Sequence, residues 1–217
     1  MKKINVVFFD LDGTLLDTSN DLLFAINQMR KERHLQALLL DDFKPVISHG
    51  VQAMLAFGLA ITPEQPLYKS LYEEFIQRYS DNIARNTEIF PGINELIAHI
   101  EFIGMQWGIV TNKIFSLTNA LLAHFKVFSR VNCVVGGGSG LRRKPHPDSL
   151  LHACNLLNCS PDNCLYVGDI ENDIIAGKAA GMQTALVLYS YLPSNQDHAN
   201  CGADILLNHP MDLKKYL

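Results

Sequence analysis

Apolar residues arrive along this chain in two rhythms. Short, mainly apolar runs, several of them rich in β-branched and aromatic side chains, fall at residues 4–9, 107–110, 133–135, 164–167, 184–188 and 204–207. Runs of that length and content predict strands buried on both faces. Between them, apolar positions recur at helical spacing: Ile93, Leu96, Ile97 and Ile100; Leu117, Leu121, Leu122 and Phe125; Leu150, Leu151, Cys154 and Leu157. Strands alternating with helices imply right-handed crossovers onto a parallel sheet. The expected fold class is therefore α/β, a doubly wound Rossmann-like parallel sheet covered on both faces.

One stretch breaks the alternation. Residues 16–84 carry no convincing strand pattern. Leu22, Leu23, Ile26 and Met29 mark one amphipathic helix, and Leu67, Leu71, Phe75, Tyr79 and Ile83 mark another. Residues 46–59 predict a helical segment between them. An all-helical block inserted after the first strand predicts a cap domain over residues 16–84, with residues 1–15 and 85–217 forming a catalytic core. The joints fall at residues 15–19 and 85–88.

Composition narrows the class. The chain has 217 residues, 48% of them hydrophobic and 18% charged, which suits one sizeable core and argues against disorder. Eighteen basic against 22 acidic residues give a net charge of −4, so a general grip on nucleic acid is not expected. The inserted block holds six basic and nine acidic residues, and the remainder twelve and thirteen. Five cysteines are an odd number, and the evenly spaced Cys154, Cys159 and Cys164 form no CxxC pair. They read as reduced thiols rather than zinc ligands. The longest apolar run, residues 53–61, is about half the ~20 residues a bilayer span needs. Asp10 and Asp12 interrupt the opening stretch too early for a signal peptide. A cytoplasmic monomer or homodimer, without membrane or nucleic-acid partners, is expected.

In a doubly wound sheet, ligands bind outside the carboxyl ends of the strands. Four polar groups fall there. Asp10 and Asp12 follow the first strand, and Thr111-Asn112-Lys113 follow residues 107–110. Lys144 precedes Pro145-His146-Pro147, and Gly168-Asp169 with Asp173 follow residues 164–167. Taken singly, such residues cap helices and make turns. Together they suit phosphoryl transfer. An ionised Asp, with an ordinary pKa of about 3.9, is a nucleophile that needs no activating base. A phosphate monoester is also an anion, and each like-charge pair at about 4 Å costs ~4 kcal/mol at an effective dielectric of about 20. Cations must offset this. Asp10 and Asp169 offer the hard oxygens that Mg²⁺ prefers, and Lys144 supplies a second positive charge. Thr111 and the amide of Asn112 can hydrogen-bond the phosphoryl oxygens. Asp12, two positions after the nucleophile, can protonate the leaving alkoxide and then deprotonate water, a neighbouring carboxylate helping it to keep its proton.

Asp10-Leu-Asp12-Gly-Thr-Leu, Thr111-Asn112-Lys113, Lys144-Pro-His-Pro and Gly168-Asp169-Ile-Glu-Asn-Asp173 resemble the four motifs of haloacid dehalogenase-superfamily phosphatases. The order and spacing match over nearly the whole chain, and the insertion matches the subclass whose cap lies between motifs one and two. The resemblance implies Asp10 as nucleophile and Asp12 as acid/base, with the Asp12 carbonyl also on Mg²⁺. It implies Asp169 as a direct metal ligand and Asp173 as an outer carboxylate that orients Lys144. True dehalogenases lack an acid at the position of Asp12, so this chain reads as a phosphatase. The stretches around Thr111, Gly136–Pro147 and Gly202-Ala-Asp204 are similar to phosphoglycolate phosphatases. Those around Val46–Val51, Trp107–Lys113 and His209-Pro also resemble N-acetylmuramic acid 6-phosphate phosphatases. Gly138 departs from the first group, which often carries Asp there. That bears on substrate and leaves the chemistry intact.

The remaining candidates are weaker. The Gly136-Gly-Gly-Ser139-Gly140 cluster lacks the P-loop form and reads as a loop. His49, in Ser48-His49-Gly50, is a candidate contact to the leaving group. Arg142 and Arg143 read as anion-steering or solvated residues, and His146 as part of its turn. Asp17 suits a helix cap and Glu171 an outer contact to the metal. The substrate expected is a small phosphate monoester, 2-phosphoglycolate or N-acetylmuramic acid 6-phosphate. A capped sugar phosphomutase and a non-catalytic phosphate-binding relic remain as alternatives.

Overall fold

The computed structural model describes residues 3–138, 140–191 and 201–217. The chain divides into two compact units, Met1–Leu16 with Ile89–Leu217, and Asp17–Glu88. The joints lie at residues 17 and 88, where residues 16 and 84 were expected, because the chain leaves and returns through two short paired strands, β2 (Leu16–Asp17) and β3 (Glu88–Ile89).

The first unit is an α/β domain on a six-stranded parallel sheet. Its strands are β1 (Val6–Phe9), β4 (Gln106–Ile114), β5 (Cys133–Gly137), β6 (Cys164–Gly168), β7 (Gln183–Val187) and β8 (Ile205–Leu207). They stand in the order β5-β4-β1-β6-β7-β8, every neighbouring pair parallel. Helices α5 (Ile93–Phe102), α6 (Phe115–Leu122), α7 (Asp148–Leu157) and α8 (Glu171–Ala179) supply the crossovers. The order reverses at β1, whose neighbours are β4 on one side and β6 on the other, so the crevice expected at such a switch lies at the end of β1. β1 is buried along its whole length, as a central strand covered on both faces must be.

Two details differ from the sequence expectation. β4 does not end at Val110. It runs on to Ile114 through an irregular register between Val110 and Ile114, so Thr111, Asn112 and Lys113 belong to the strand itself. Likewise Gly136 and Gly137 are not loop but the end of β5. A Cβ on Gly137 would stand 2.6 Å from the Asn112 carbonyl oxygen, so only glycine lets β5 run this close to β4. Ser139 of the same cluster lies outside the described residues. Asp204 ties the far edge together: its Oδ2 accepts from both the amide and the hydroxyl of Thr184, 2.8 Å each.

The second unit contains α1 (Ser19–Glu32), α2 (Leu40–Ile47), α3 (Val51–Leu59) and α4 (Tyr68–Asp81). The segment expected as one helix over residues 46–59 is two, broken at Ser48-His49-Gly50. Ile26, Met29, Phe43, Leu55 and Phe75 are wholly buried and form its core. Asp21, also wholly buried, closes the unit on itself by accepting from the Asn86 amide at 2.8 Å and the Thr87 hydroxyl at 2.7 Å. Asp17 accepts from the Ser19 amide at 3.0 Å, the capping role expected of it. Among the described residues no helix is long and apolar enough to cross a membrane.

Candidate active site

The four polar groups named from the sequence meet at the carboxyl end of the sheet. The Asp10 amide donates to the Val167 carbonyl at 2.9 Å, so the first residue after β1 is anchored to β6. The chain then turns tightly. The Leu11 carbonyl accepts from the amides of Thr14, Leu15 and Leu16, and the Gly13 amide donates to the Leu16 carbonyl. Leu11, Leu15 and Leu16 are wholly buried and fix this turn from below, leaving Asp12 half-buried above it. Gly13 has φ of +85°, and a Cβ there would lie 2.3 Å from Asp169 Oδ2. The glycine thus serves both the turn and the approach of the second strand-end carboxylate.

Lys144 is the hub. Its ammonium, on a side chain only 3% exposed, donates to Asp10 Oδ1 at 2.8 Å, Asp173 Oδ1 at 2.6 Å and the Tyr166 hydroxyl at 2.6 Å. A longer contact reaches the Val110 carbonyl at 3.4 Å, so its three protons are fully engaged. Burial alone would lower its pKa, but the Asp10 and Asp173 carboxylates more than offset this and hold it protonated, above the ordinary lysine value. Asp10 is displaced the other way. Burial pushes its carboxyl up to about 6 against the pull of Lys144, with Asp173 and Asp12 adding repulsion. The ordinary aspartate value used in reading the sequence therefore does not hold here, although Asp10 remains mainly ionised at neutral pH.

Asp173 is wholly buried and uses its second oxygen to accept from the amides of Asp169 and Ile170, at 3.1 and 3.2 Å. It therefore caps α8 and orients Lys144 at once. Asp169 is also wholly buried and accepts from the Ser190 hydroxyl at 2.9 Å. One oxygen from each of Asp10, Asp169 and Asp173 falls within 4.8 Å of the others. Three hard carboxylate donors, with Asp169 packed where Gly13 has no side chain, fit a small divalent cation such as Mg²⁺. Because Asp173 already spends both oxygens, Asp10 and Asp169 are the better ligands.

The Asn112 carboxamide clamps the Lys144 backbone: its Oδ1 accepts from the Lys144 amide at 3.0 Å and its Nδ2 donates to the Lys144 carbonyl at 3.1 Å. That clamp fixes the backbone from which Lys144 extends. Thr111 is buried, and its hydroxyl accepts from the Lys113 amide at 3.2 Å. Asp12, expected to be influenced by a neighbouring carboxylate, has Asp10 as that neighbour and also meets the Lys113 ammonium, which donates to both its oxygens at 2.9 and 3.1 Å. Lys113 had no role in the sequence reading, and neither had Tyr166 or Ser190. Tyr166 carried the one available signal, a hydroxyl inside a strand buried on both faces, which must find a partner. His49 lies in an exposed turn of the second unit. Arg142 is spent on an exposed pair with Asp148 at 2.8 Å, the His146 amide donates to the Arg143 carbonyl within the turn, and Glu171 is exposed.

Comparison with known proteins shows the family. Residues 7–187 match the family of haloacid dehalogenase-like hydrolases. The chain is 36% identical over 215 residues to N-acetylmuramic acid 6-phosphate phosphatase of Pseudomonas putida, covering 99% of this chain and 96% of that protein. It is 37% identical over 213 residues to phosphoglycolate phosphatase of Xanthomonas campestris, covering 98% and 96%. A crystal structure from Haemophilus somnus 129PT, described as a predicted phosphoglycolate phosphatase, superposes with a TM-score of 0.87 at 25% identity. It covers 100% of this chain and 99% of that one.

Proposed function

The chain belongs to the haloacid dehalogenase-like hydrolases and is a phosphatase of small phosphorylated metabolites, and from that premise we propose that it works through a phosphoryl group carried on Asp10. The observation that carries this reading is the buried Lys144 ammonium bonded to Asp10 and Asp173. It holds a carboxylate in place at the strand end and offsets the charge an anionic substrate would otherwise meet.

The steps follow from the residues. Asp10 attacks phosphorus, and the bond to the leaving oxygen breaks. Asp12 gives a proton to that oxygen, then takes one from the water that attacks the aspartyl phosphate and frees inorganic phosphate. Lys113 orients Asp12 through their ion pair, and Thr111 hydrogen-bonds the phosphoryl oxygens. Asp10, Asp169 and the Asp12 carbonyl are the groups that would hold Mg²⁺, which when bound supplies the positive charge that brings phosphate onto a carboxylate. Asp173 acts through Lys144 and the α8 amides.

These core residues meet only features common to every phosphate monoester. Discrimination between leaving groups is therefore assigned to the inserted unit, with His49 its candidate contact. The relatives supply two candidate substrates, 2-phosphoglycolate and N-acetylmuramic acid 6-phosphate. The test is phosphate release with Mg²⁺ from these two, other sugar phosphates and nucleotides, repeated in excess EDTA. Release from at least one acidic metabolite phosphate, lost in EDTA and restored by Mg²⁺, is expected. Undiminished turnover in EDTA would contradict the metal, and silence across the panel would contradict the substrate class.

A further inference from the structure

At the opposite end of the same sheet, three cysteines that the sequence reading set aside come together. Cys154 sits in the last turn of α7, Cys159 in the turn that follows, and Cys164 opens β6. Their sulfur atoms all lie within 4.8 Å of one another, with Cys159 to Cys164 at 3.5 Å and Cys154 to Cys164 at 3.9 Å. A buried cysteine ordinarily packs as a small apolar side chain among carbons. Here each sulfur faces other sulfurs. Thiolates bound at about 2.3 Å and at tetrahedral angles around one ion stand about 3.8 Å apart, close to the separations of Cys164 from Cys159 and Cys154, with all three sulfurs within 4.8 Å.

We propose that Cys154, Cys159 and Cys164 form a three-thiolate site for a soft d¹⁰ metal ion of the Zn²⁺, Cd²⁺ or Cu⁺ class. Sulfur donors select such ions and reject Mg²⁺, so the site is chemically separate from the carboxylates at the other end of the strands. Cys154 and Cys164 are buried, while Cys159 is half-buried and lines a surface cleft of about 860 Å³ shared with Lys3, Asn5, Gln106, Asn158 and Asn163. The ion enters from that side, and its fourth position faces the cleft, where water fills it. In the thiol form, Cys159 donates to the Cys154 carbonyl and Cys164 to the Ser160 carbonyl, at 3.7 and 3.2 Å. Binding releases the three thiol protons to solvent and replaces these weak bonds with metal–sulfur bonds. The bound ion staples the end of α7 to the start of β6. Those two elements lead from Lys144 and to Asp169.

The experiment is an anaerobic titration of the reduced full-length chain with Cd²⁺ alone, followed by the ultraviolet thiolate-to-metal charge-transfer band, which carboxylates do not give. A band that saturates at one Cd²⁺ per chain, is bleached by excess EDTA and accompanies a rise in Tm is expected. Asp10→Asn and Cys201→Ser keep it; Cys159→Ser and Cys154→Ser lose it. Cys159 is the half-buried member, so Cys159→Ser tests ligation with least disturbance of the core, and its metal-free Tm checks the fold. No saturable band while all five thiols titrate as reduced in denaturant, a band that survives Cys159→Ser, or one lost in Cys201→Ser overturns the proposal. Phosphatase activity plays no part in the readout, so failure here leaves the reading of Asp10 untouched.

Discussion

Lys144 shows why a charge at the site cannot be separated from the fold that holds it. The sequence suggested an ammonium that supplies positive charge to the site. The structure buries it among Asp10, Asp173 and Tyr166, so its removal leaves two buried carboxylates facing each other. Breaking such an arrangement from one side typically costs about 3–5 kcal/mol. Lys144→Met is therefore expected to lose both turnover and stability in urea unfolding. The stability loss should shrink in an Asp10→Asn background, because one of the stranded charges is then absent. Equal losses in both backgrounds would mean that the contact between Lys144 and Asp10 carries no coupling. Lys113 acts one step further from the reacting atoms, through Asp12. Lys113→Met should lower kcat on an alkyl phosphate on the order of tenfold, the usual scale for losing an orienting partner. The loss on p-nitrophenyl phosphate should be smaller, since that leaving group needs little protonation. An equal loss on both substrates would detach Lys113 from the proton transfer.

Strands place these residues, and strands were the easiest elements to read. An unbroken run such as Val6-Val7-Phe8-Phe9 has few explanations other than a central parallel strand, and the polar residue after it falls at the sheet's carboxyl end. Asp10, Asp169 and Lys144 were legible for that reason, and the four-motif order made their combination legible too. What the sequence withheld depends on contacts between distant segments. Nothing in the spacing of Asn112 says that its carboxamide clamps residue 144, or that Ser190 reaches Asp169. Nor does a spacing of five residues reveal that three cysteines on a helix end, a turn and a strand start converge. Periodicity describes one element at a time. Gly137 was missed similarly, because a loop and a close strand approach both favour glycine. Gly137→Ala should push β5 away from β4 at Asn112, costing about 1–3 kcal/mol. It should also reduce kcat through the Asn112–Lys144 clamp, although position 137 touches no reacting group. Full activity with unchanged unfolding would show that the strands have room to part.

For the molecule as a whole, functional groups collect at both ends of the sheet. Its carboxyl end gathers Asp10, Asp12, Lys113, Lys144, Asp169 and Asp173, the groups proposed to carry phosphoryl transfer. Its amino end gathers the thiols beside a cleft. The inserted helical unit has its own core and its own buried closure at Asp21, which suits the specificity role proposed for it. The central claim is that Asp10 carries the phosphoryl group and Asp12 governs its release. Rapid-quench kinetics of Asp12→Asn with p-nitrophenyl phosphate and Mg²⁺ test it most directly. A burst of p-nitrophenolate stoichiometric with enzyme is expected, followed by a slow phase, with the quenched protein phosphorylated at Asp10. Linear release from the first turnover with an unmodified Asp10, or a phosphoryl group on a different residue, would contradict it.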